Sequence, residues 1–190
     1  MSIFLGTFEV TSGKIIISDP CYKLPKNSDK NKINEIIDVP NGTWSAYVFK
    51  YRNGNNVSEL MILHESITLK DINDVWLDHL TKICVDSGQA GFFDLKYYKD
   101  DDNVQNHELA PFIGIESKGD KWYSMCCDKT YNEKIPGKCG DVIPNGCLSS
   151  SGYGDGQYDV SVGYKEGTDD VLYLKIHFIE ESDEESDESW

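Results

Sequence analysis

The sequence predicts an α+β, mainly β domain: antiparallel sheet closed on itself or sandwiched, with one principal helix, about residues 69–84, on one face. Three observations carry that expectation. Roughly nine or ten short runs of alternating or β-branched residues are separated by Gly, Asn, Asp and Pro turn signals. One longer run alone shows helical spacing. The 190 residues, 39% of them hydrophobic, suit a single domain, and a chain of this size buries roughly 70 per cent of its unfolded surface without needing disulfides or metal. The domain is expected over 1–179, with an acidic, disordered tail over 180–190.

The elements follow in order. Residues 3–10 alternate around Ile3, Leu5, Phe8 and Val10, reach Thr11-Ser12-Gly13 and give way to Ile15-Ile16-Ile17, which reads as a first hairpin. Residues 23–40 are polar and Pro-punctuated, a long loop anchored by Ile33, Ile36 and Ile37. Asn41-Gly42 launches the alternating run 43–51, and a second run over 57–63 completes a second hairpin. Leu69, Ile72, Trp76, Leu80 and Ile83 recur at three- and four-residue spacing, with Thr68 and Asp71 as a start signal and Gly88 beyond the end. Strands are expected at 112–116 and 121–126, then a Pro- and Gly-rich passage over 135–146. A third hairpin joins 158–164 to 171–179.

Net charge is −15 from 33 acids and 18 bases. Seven of the acids fall within 180–190, so the remaining 26 stand against all 18 bases and the body carries −8. Arg52 is the one arginine, so the forked donors that read guanine edges and grip phosphate are missing, and direct nucleic-acid binding is not expected. A basic protein partner, or simple solubility, suits this field. No apolar run approaches the roughly 20 residues of a membrane span, and residues 1–6 carry no basic or long apolar leader, so a cytoplasmic protein with no membrane partner is expected. Cys21, Cys84, Cys126, Cys127, Cys139 and Cys147 include no Cys-X-X-Cys pair and are expected as free, uncoordinated thiols. Ser182 and Ser186 precede acidic runs, as acid-directed phosphorylation would require.

Two segments share one pattern: Ser12-Gly13 with Asp19 seven residues after the serine, and Ser87-Gly88 with Asp94 at the same spacing. Ser151-Gly152 with Asp159 fits with one extra residue. Each reads as a turn, a short strand and an aspartate at its end, and such ends cluster at one rim of a closed sheet. Carboxylates gathered there need a shared proton, a lysine, a metal ion or backbone donors. The candidate site is therefore Asp19, Tyr22, Asp86, Ser87, Gln89, Asp94, Ser151, Tyr153, Asp155 and Tyr158. Gly146, Gly152, Gly154 and Gly156 beside Ser149, Ser150 and Ser151 form either a ligand loop or a bulged corner between strands. Asp86 to Gln89 could equally be a helix C-terminal turn, and Cys21 either a nucleophile or a buried thiol. The loop over 100–108 lacks the glycine and glutamate of a calcium-binding EF-hand loop.

The motifs SDPCY at 18–22, VDSGQAGFFD at 85–94 and SSSGYGDGQY at 149–158 resemble the signature of an uncharacterised family found in bacteria, phages and large DNA viruses. The resemblance covers most of 6–178 in motif order, transfers no catalytic residue, and implies that the three segments belong together. The Lys-rich insert over 23–32 and the acidic tail stand outside it. The leading functional expectation is an acidic binding or interaction domain with an Asp/Tyr/Ser/Gly-rich site and no cofactor. One alternative is a hydrolase using paired aspartates, with a divalent cation possible. The other is a structural component of a larger, viral particle.

Overall fold

The computed structural model describes residues 2–24, 33–52, 54–72, 76–104, 118–131 and 138–179. Within them lie β1 (Ser2–Val10), β2 (Lys14–Ser18), β3 (Glu35–Asp38), β4 (Gly42–Lys50), β5 (Val57–His64), β6 (Trp76–Val85), β7 (Gln89–Asp94), α1 (Asp120–Thr130), β8 (Gly140–Ile143), β9 (Gly146–Ser150), β10 (Gly156–Tyr164) and β11 (Val171–His177). The strands form a six-stranded sheet in the order β1-β4-β5-β11-β10-β6 and a five-stranded sheet in the order β3-β2-β7-β9-β8. The two sheets face each other as a sandwich and do not close into a barrel. Trp44, Val48, Leu60, Ile62, Val160, Val162, Leu174 and Ile176 from the larger sheet bury against Ile15, Ile17, Ala90, Phe92 and Cys147 from the smaller. The three consecutive isoleucines of β2 are all fully buried because both its faces are covered: Ile16, Phe93 and Leu148 lie on the outer face against Tyr98, Trp122 and Cys126.

Leaving the edge strand β8 aside, the strand orders are palindromic, and the register shows why. In the larger sheet Val10 pairs with Gly42 and Phe8 with Trp44; 75 and 114 residues further on, Val85 pairs with Gly156 and Ile83 with Tyr158. The bulge near Phe4 recurs near His79, whose partners Tyr47 and Ser161 also differ by 114. The slip between Lys50–Val57 and Phe49–Glu59 recurs between Tyr164–Val171 and Gly163–Tyr173. Small contacts repeat as well. Trp44 Nε1 donates to the Pro40 carbonyl and its ring meets His64 edge-on at 5.3 Å; Tyr158 donates to the Gly154 carbonyl and meets Phe178 edge-on at 5.1 Å. The chain is an internal duplication, β1 to β5 matched by β6, β7, β9, β10 and β11, about a pseudo-twofold axis between β2–β7 and β5–β11. The segment between β7 and β9, with α1 and β8, has no counterpart among the described residues of the first half.

Several expectations need correction. The segment read as the principal helix over 69–84 contains β6 instead. Lys82 and His79 stand opposite Asp159 and Ser161, so β6 carries an extra residue, and that bulge breaks the two-residue alternation into helix-like spacings of three. The helix is α1, where a strand was expected over 121–126. Trp122, Cys126 and Thr130 are buried four apart, and the start of the helix is held from elsewhere, Asp101 accepting from Gly119 N at 2.6 Å and Trp122 N at 2.9 Å. The loop over 23–40 contains β3, paired with β2, and the passage over 135–146 contains β8. The first predicted hairpin is split between sheets, β1 pairing with β4 and β2 with β3 and β7. The second and third hairpins stand as β4–β5 and β10–β11. The expected strand over 112–116, residues 25–32 of the Lys-rich insert and the tail over 180–190 lie outside the described residues.

Gly91 marks the tightest strand contact: a Cβ there would strike the Cys147 carbonyl and lie 2.8 Å from Leu148 Cβ. Gly91→Ala should lower stability by about 1–3 kcal/mol, an overpacking cost, read as a fall in the urea midpoint at unchanged slope.

Candidate functional site

The repeated Ser-Gly…Asp pattern is a pair of reciprocal clasps. β2 and β7 run antiparallel, with Ile15 opposite Asp94 and Ser18 opposite Gly91, so the aspartate ending each strand reaches the turn that precedes the other. Asp19 accepts from Asp86 N (2.8 Å), Ser87 N (2.7 Å), Ser87 Oγ (2.6 Å) and Cys21 N (2.7 Å). Asp94 accepts from Thr11 N (2.7 Å), Thr11 Oγ1 (3.1 Å), Ser12 N (3.2 Å) and Lys96 N (3.0 Å). Both aspartates are fully buried, and a buried carboxylate persists only where donors replace its water. Burial works to raise Asp94, but the bonds from Ser12, Thr11 and Lys96 outweigh it and hold the carboxyl below its usual range.

Each clasp closes on a glycine at positive φ, Gly13 at 70° and Gly88 at 67°. Gly13 N donates to Asn41 Oδ1 at 2.6 Å and its carbonyl accepts from Val39 N; Gly88 N donates to Asp155 Oδ1 at 3.1 Å and its carbonyl accepts from Ser151 N. Tyr97 lies beside Thr11, and Tyr22 beside Asp86. Burial and the Asp86 carboxylate push the Tyr22 phenol up, so it stays protonated.

The ten candidate residues therefore divide. Asp19, Tyr22, Asp86, Ser87, Gln89, Ser151 and Asp155 gather around Gly88, with Tyr153 and Tyr158 on the adjoining corner. Asp94 does not join them: it closes the other clasp, four strand residues or roughly 13 Å away along β2. The third apparent copy of the pattern is not one, because Asp159 lies within β10 and Asp155 is the counterpart of Asn41. Gln89 is buried and spent on α1, accepting from Thr130 Oγ1 at 2.9 Å and donating to Cys127 Sγ at 3.4 Å. Ser151 and Tyr158 hold the corner by donating to the Gly154 carbonyl. What faces solvent is Asp86, Asp155 and Tyr153, the last 70% exposed, with Tyr22 half-buried beside them. The segment at 86–89 is a turn between two strands, not a helix end.

Burial, then the Asp19 charge, pushes the Cys21 thiol up to about 12, so it is protonated. All six cysteines are free. Among the described residues no group of three or more His, Cys, Asp or Glu is placed to hold a metal ion. Sequence reasoning missed Lys99 and Tyr123, which stand near Cys21 and Ser87, and Trp122, which packs against Phe93 and Tyr98. Lys99 has no spacing signal, and the two aromatics fell in a segment read as a strand.

Replacing Asp19 with Asn turns an amide donor toward donors and should lower stability by about 3 kcal/mol or more. Asp94 titrates lower in the folded than in the unfolded chain. Its contribution is therefore present above the unfolded value and lost as pH falls through the folded one. The urea-midpoint gap between wild type and Asp94→Asn should be wide at pH 7 and narrow toward about pH 3, below the ordinary aspartate value of about 3.9. Comparison with protein-family models, curated proteins and solved structures finds no match to this chain.

Proposed function

We propose that the protein is a binding domain whose acidic, tyrosine-bearing rim around Gly88 takes a basic segment of a partner protein. One observation carries the reading: the duplicated rim does the same structural work without charge. At the Gly13 clasp the neutral Asn41 takes from Gly13 N the bond that Asp155 takes from Gly88 N, and the neutral Thr11 gives Asp94 the backbone bond that Asp86 gives Asp19. The two negative charges are therefore surplus to the framework, and the side chains that carry them stand exposed with Tyr153 at one corner. Acids beside aromatic rings suit lysine and arginine side chains, which pair with the carboxylates and lay their stems or charge on the rings. The same field repels phosphate, which supports a protein partner over nucleic acid.

The occupancy of Asp19 and Asp94 argues against the hydrolase alternative, since carboxylates already accepting four hydrogen bonds each are poorly placed to exchange protons with a substrate. No helix among the described residues is long and apolar enough to cross a membrane. We place the protein in the cytoplasm, of a host cell if it belongs with the viral members of the family it resembles. On this reading the motifs shared with that family are the two clasps and their corner.

The test exchanges residues between the rims. Asp86→Thr with Asp155→Asn installs the counterparts and should leave the melting temperature within about 2 °C, as surface substitutions do. Binding of a fluorescent oligolysine peptide, followed by anisotropy, should weaken with salt for the wild type and fall at least tenfold in the double variant. The acidic tail is common to both proteins, so its attraction cancels. Equal affinity of the two proteins would overturn the reading.

A further inference from the structure

We propose that the groove between the edge of β1 and the β8–β9 corner binds an extended peptide bearing a carboxylate, whose main chain accepts from Glu9 N and whose carboxylate meets Lys129. The groove holds about 490 Å³, the size of a small-ligand site, with Val142, Ile143 and Pro144 as its apolar wall and Glu9, Lys129 and Asn145 among its polar positions. It adjoins the Gly13 clasp, since Asn145 accepts from Asp94 N, and neither Asp86 nor Asp155 lines it. The site therefore stands independently of the rim's basic partner.

The duplication shows that a main-chain acceptor belongs there. β1 and β6 are the matching edge strands of the larger sheet, and Glu9, opposite Thr43, corresponds to Cys84, opposite Gln157. Cys84 N donates to the Ile33 carbonyl at 3.0 Å. Ile17 pairs with Glu35 as Phe92 pairs with Cys147, so Asn145 takes the place of Ile33 beside Glu9. Its carbonyl does not make the matching bond. Asn145 has a φ of 61° and turns that carbonyl to Asp94 N at 2.9 Å, while its side chain donates to the Glu9 carbonyl at 3.0 Å. In an antiparallel strand the N–H and C=O of one residue point to the same side. Glu9 N is therefore directed away from β4, whose Thr43 accepts from Glu65 N on its other side, and among the described residues nothing accepts from Glu9 N. A strand laid along β1 supplies the carbonyl that Ile33 supplies to β6.

Charge selects the peptide. Lys129 and Lys138 both bond to one oxygen of Asp141, at 2.8 and 3.2 Å. Among the described residues no second carboxylate lies within ion-pair distance of either lysine, so one positive charge is left over in a chain of net charge −15. The Glu9 carboxylate does not balance it, since it accepts from Thr43 Oγ1 at 2.8 Å. Lys129 lines the groove, where a carboxylate on the bound segment pairs with it. At about 0.15 M salt the screening length is about 8 Å, so this local charge outweighs the more distant acids.

The probe is a fluorescein-labelled Ile-Asn-Glu-Ile amide, a copy of residues 33–36, followed by anisotropy on the full chain. It should bind saturably, and Lys129→Gln should weaken it at least tenfold. The same peptide with glutamine for glutamate should bind the wild type as weakly, and Lys129→Gln should cost it little further. Giving that glutamine peptide a free C-terminus separates the two sources of the charge: recovered affinity assigns the carboxylate to a chain end, continued loss to an acidic side chain. Glu9→Pro removes the N–H that the ladder to β4 does not use, a change an edge strand tolerates, and should bind the probe at least tenfold more weakly than Glu9→Ala, which keeps it. Melting temperatures establish that each variant is folded, and the Lys129 comparison decides alone if Glu9→Pro is not. No saturable binding up to about 1 mM, equal affinity of wild type and Lys129→Gln, or equal affinity of folded Glu9→Pro and Glu9→Ala would overturn the proposal.

Discussion

Two buried carboxylates, each holding the turn that leads into the other's strand, are what the rest of the molecule is arranged around. Asp19 and Asp94 give up water only because eight donors, six of them on the backbone of short turns, point at them. The consequence reaches well beyond the turns. Slipping β2 against β7 by one residue would strand a charge in the core and turn the inner faces of both strands outward. The clasps thus fix the register of the smaller sheet, and through the Gly13 and Gly88 turns they set where β1 and β6 leave the larger one.

A framework built twice separates structure from function more sharply than burial does. Whatever both halves share serves the fold: the positive-φ glycines, the serine amides, the tyrosines beside the turns, the aromatic corners of Trp44 and Tyr158. Whatever one half alone carries is open to another use. Two departures stand out. One is a change of charge at conserved geometry, Thr11 and Asn41 against Asp86 and Asp155. The other is the segment between β7 and β9, which lays α1 across the outer face of the smaller sheet and brings Lys129 to the groove beside Glu9.

Much of this was legible in the residues. The Ser-Gly…Asp spacing at Ser12 and Ser87 is the duplication itself, and the alternating runs around Trp44 and Val160 mark real strands. The charge surplus on the Gly88 side was visible only as a list of acids, because what gives Asp155 its meaning is Asn41, and nothing in the chain aligns the two until the sheets are paired. Local pattern failed where a long-range contact decided the outcome. A bulge against β10 disguised β6 as a helix, and Asp101, far back in the chain, started α1 where burial at Trp122, Ser124 and Cys126 imitates a strand. Partition among sheets was equally hidden, since the turn at Gly13 joins strands of different layers.

Amide hydrogen exchange tests the clasps most directly. If the reciprocal carboxylates hold the fold, the amides of Thr11, Ser12, Asp86 and Ser87 should exchange only through global unfolding, with matching protection in the two turns despite their position at the surface. Exchange of these four amides at the rate of an open loop, while the strand amides of β2 and β7 stay protected, would contradict the account.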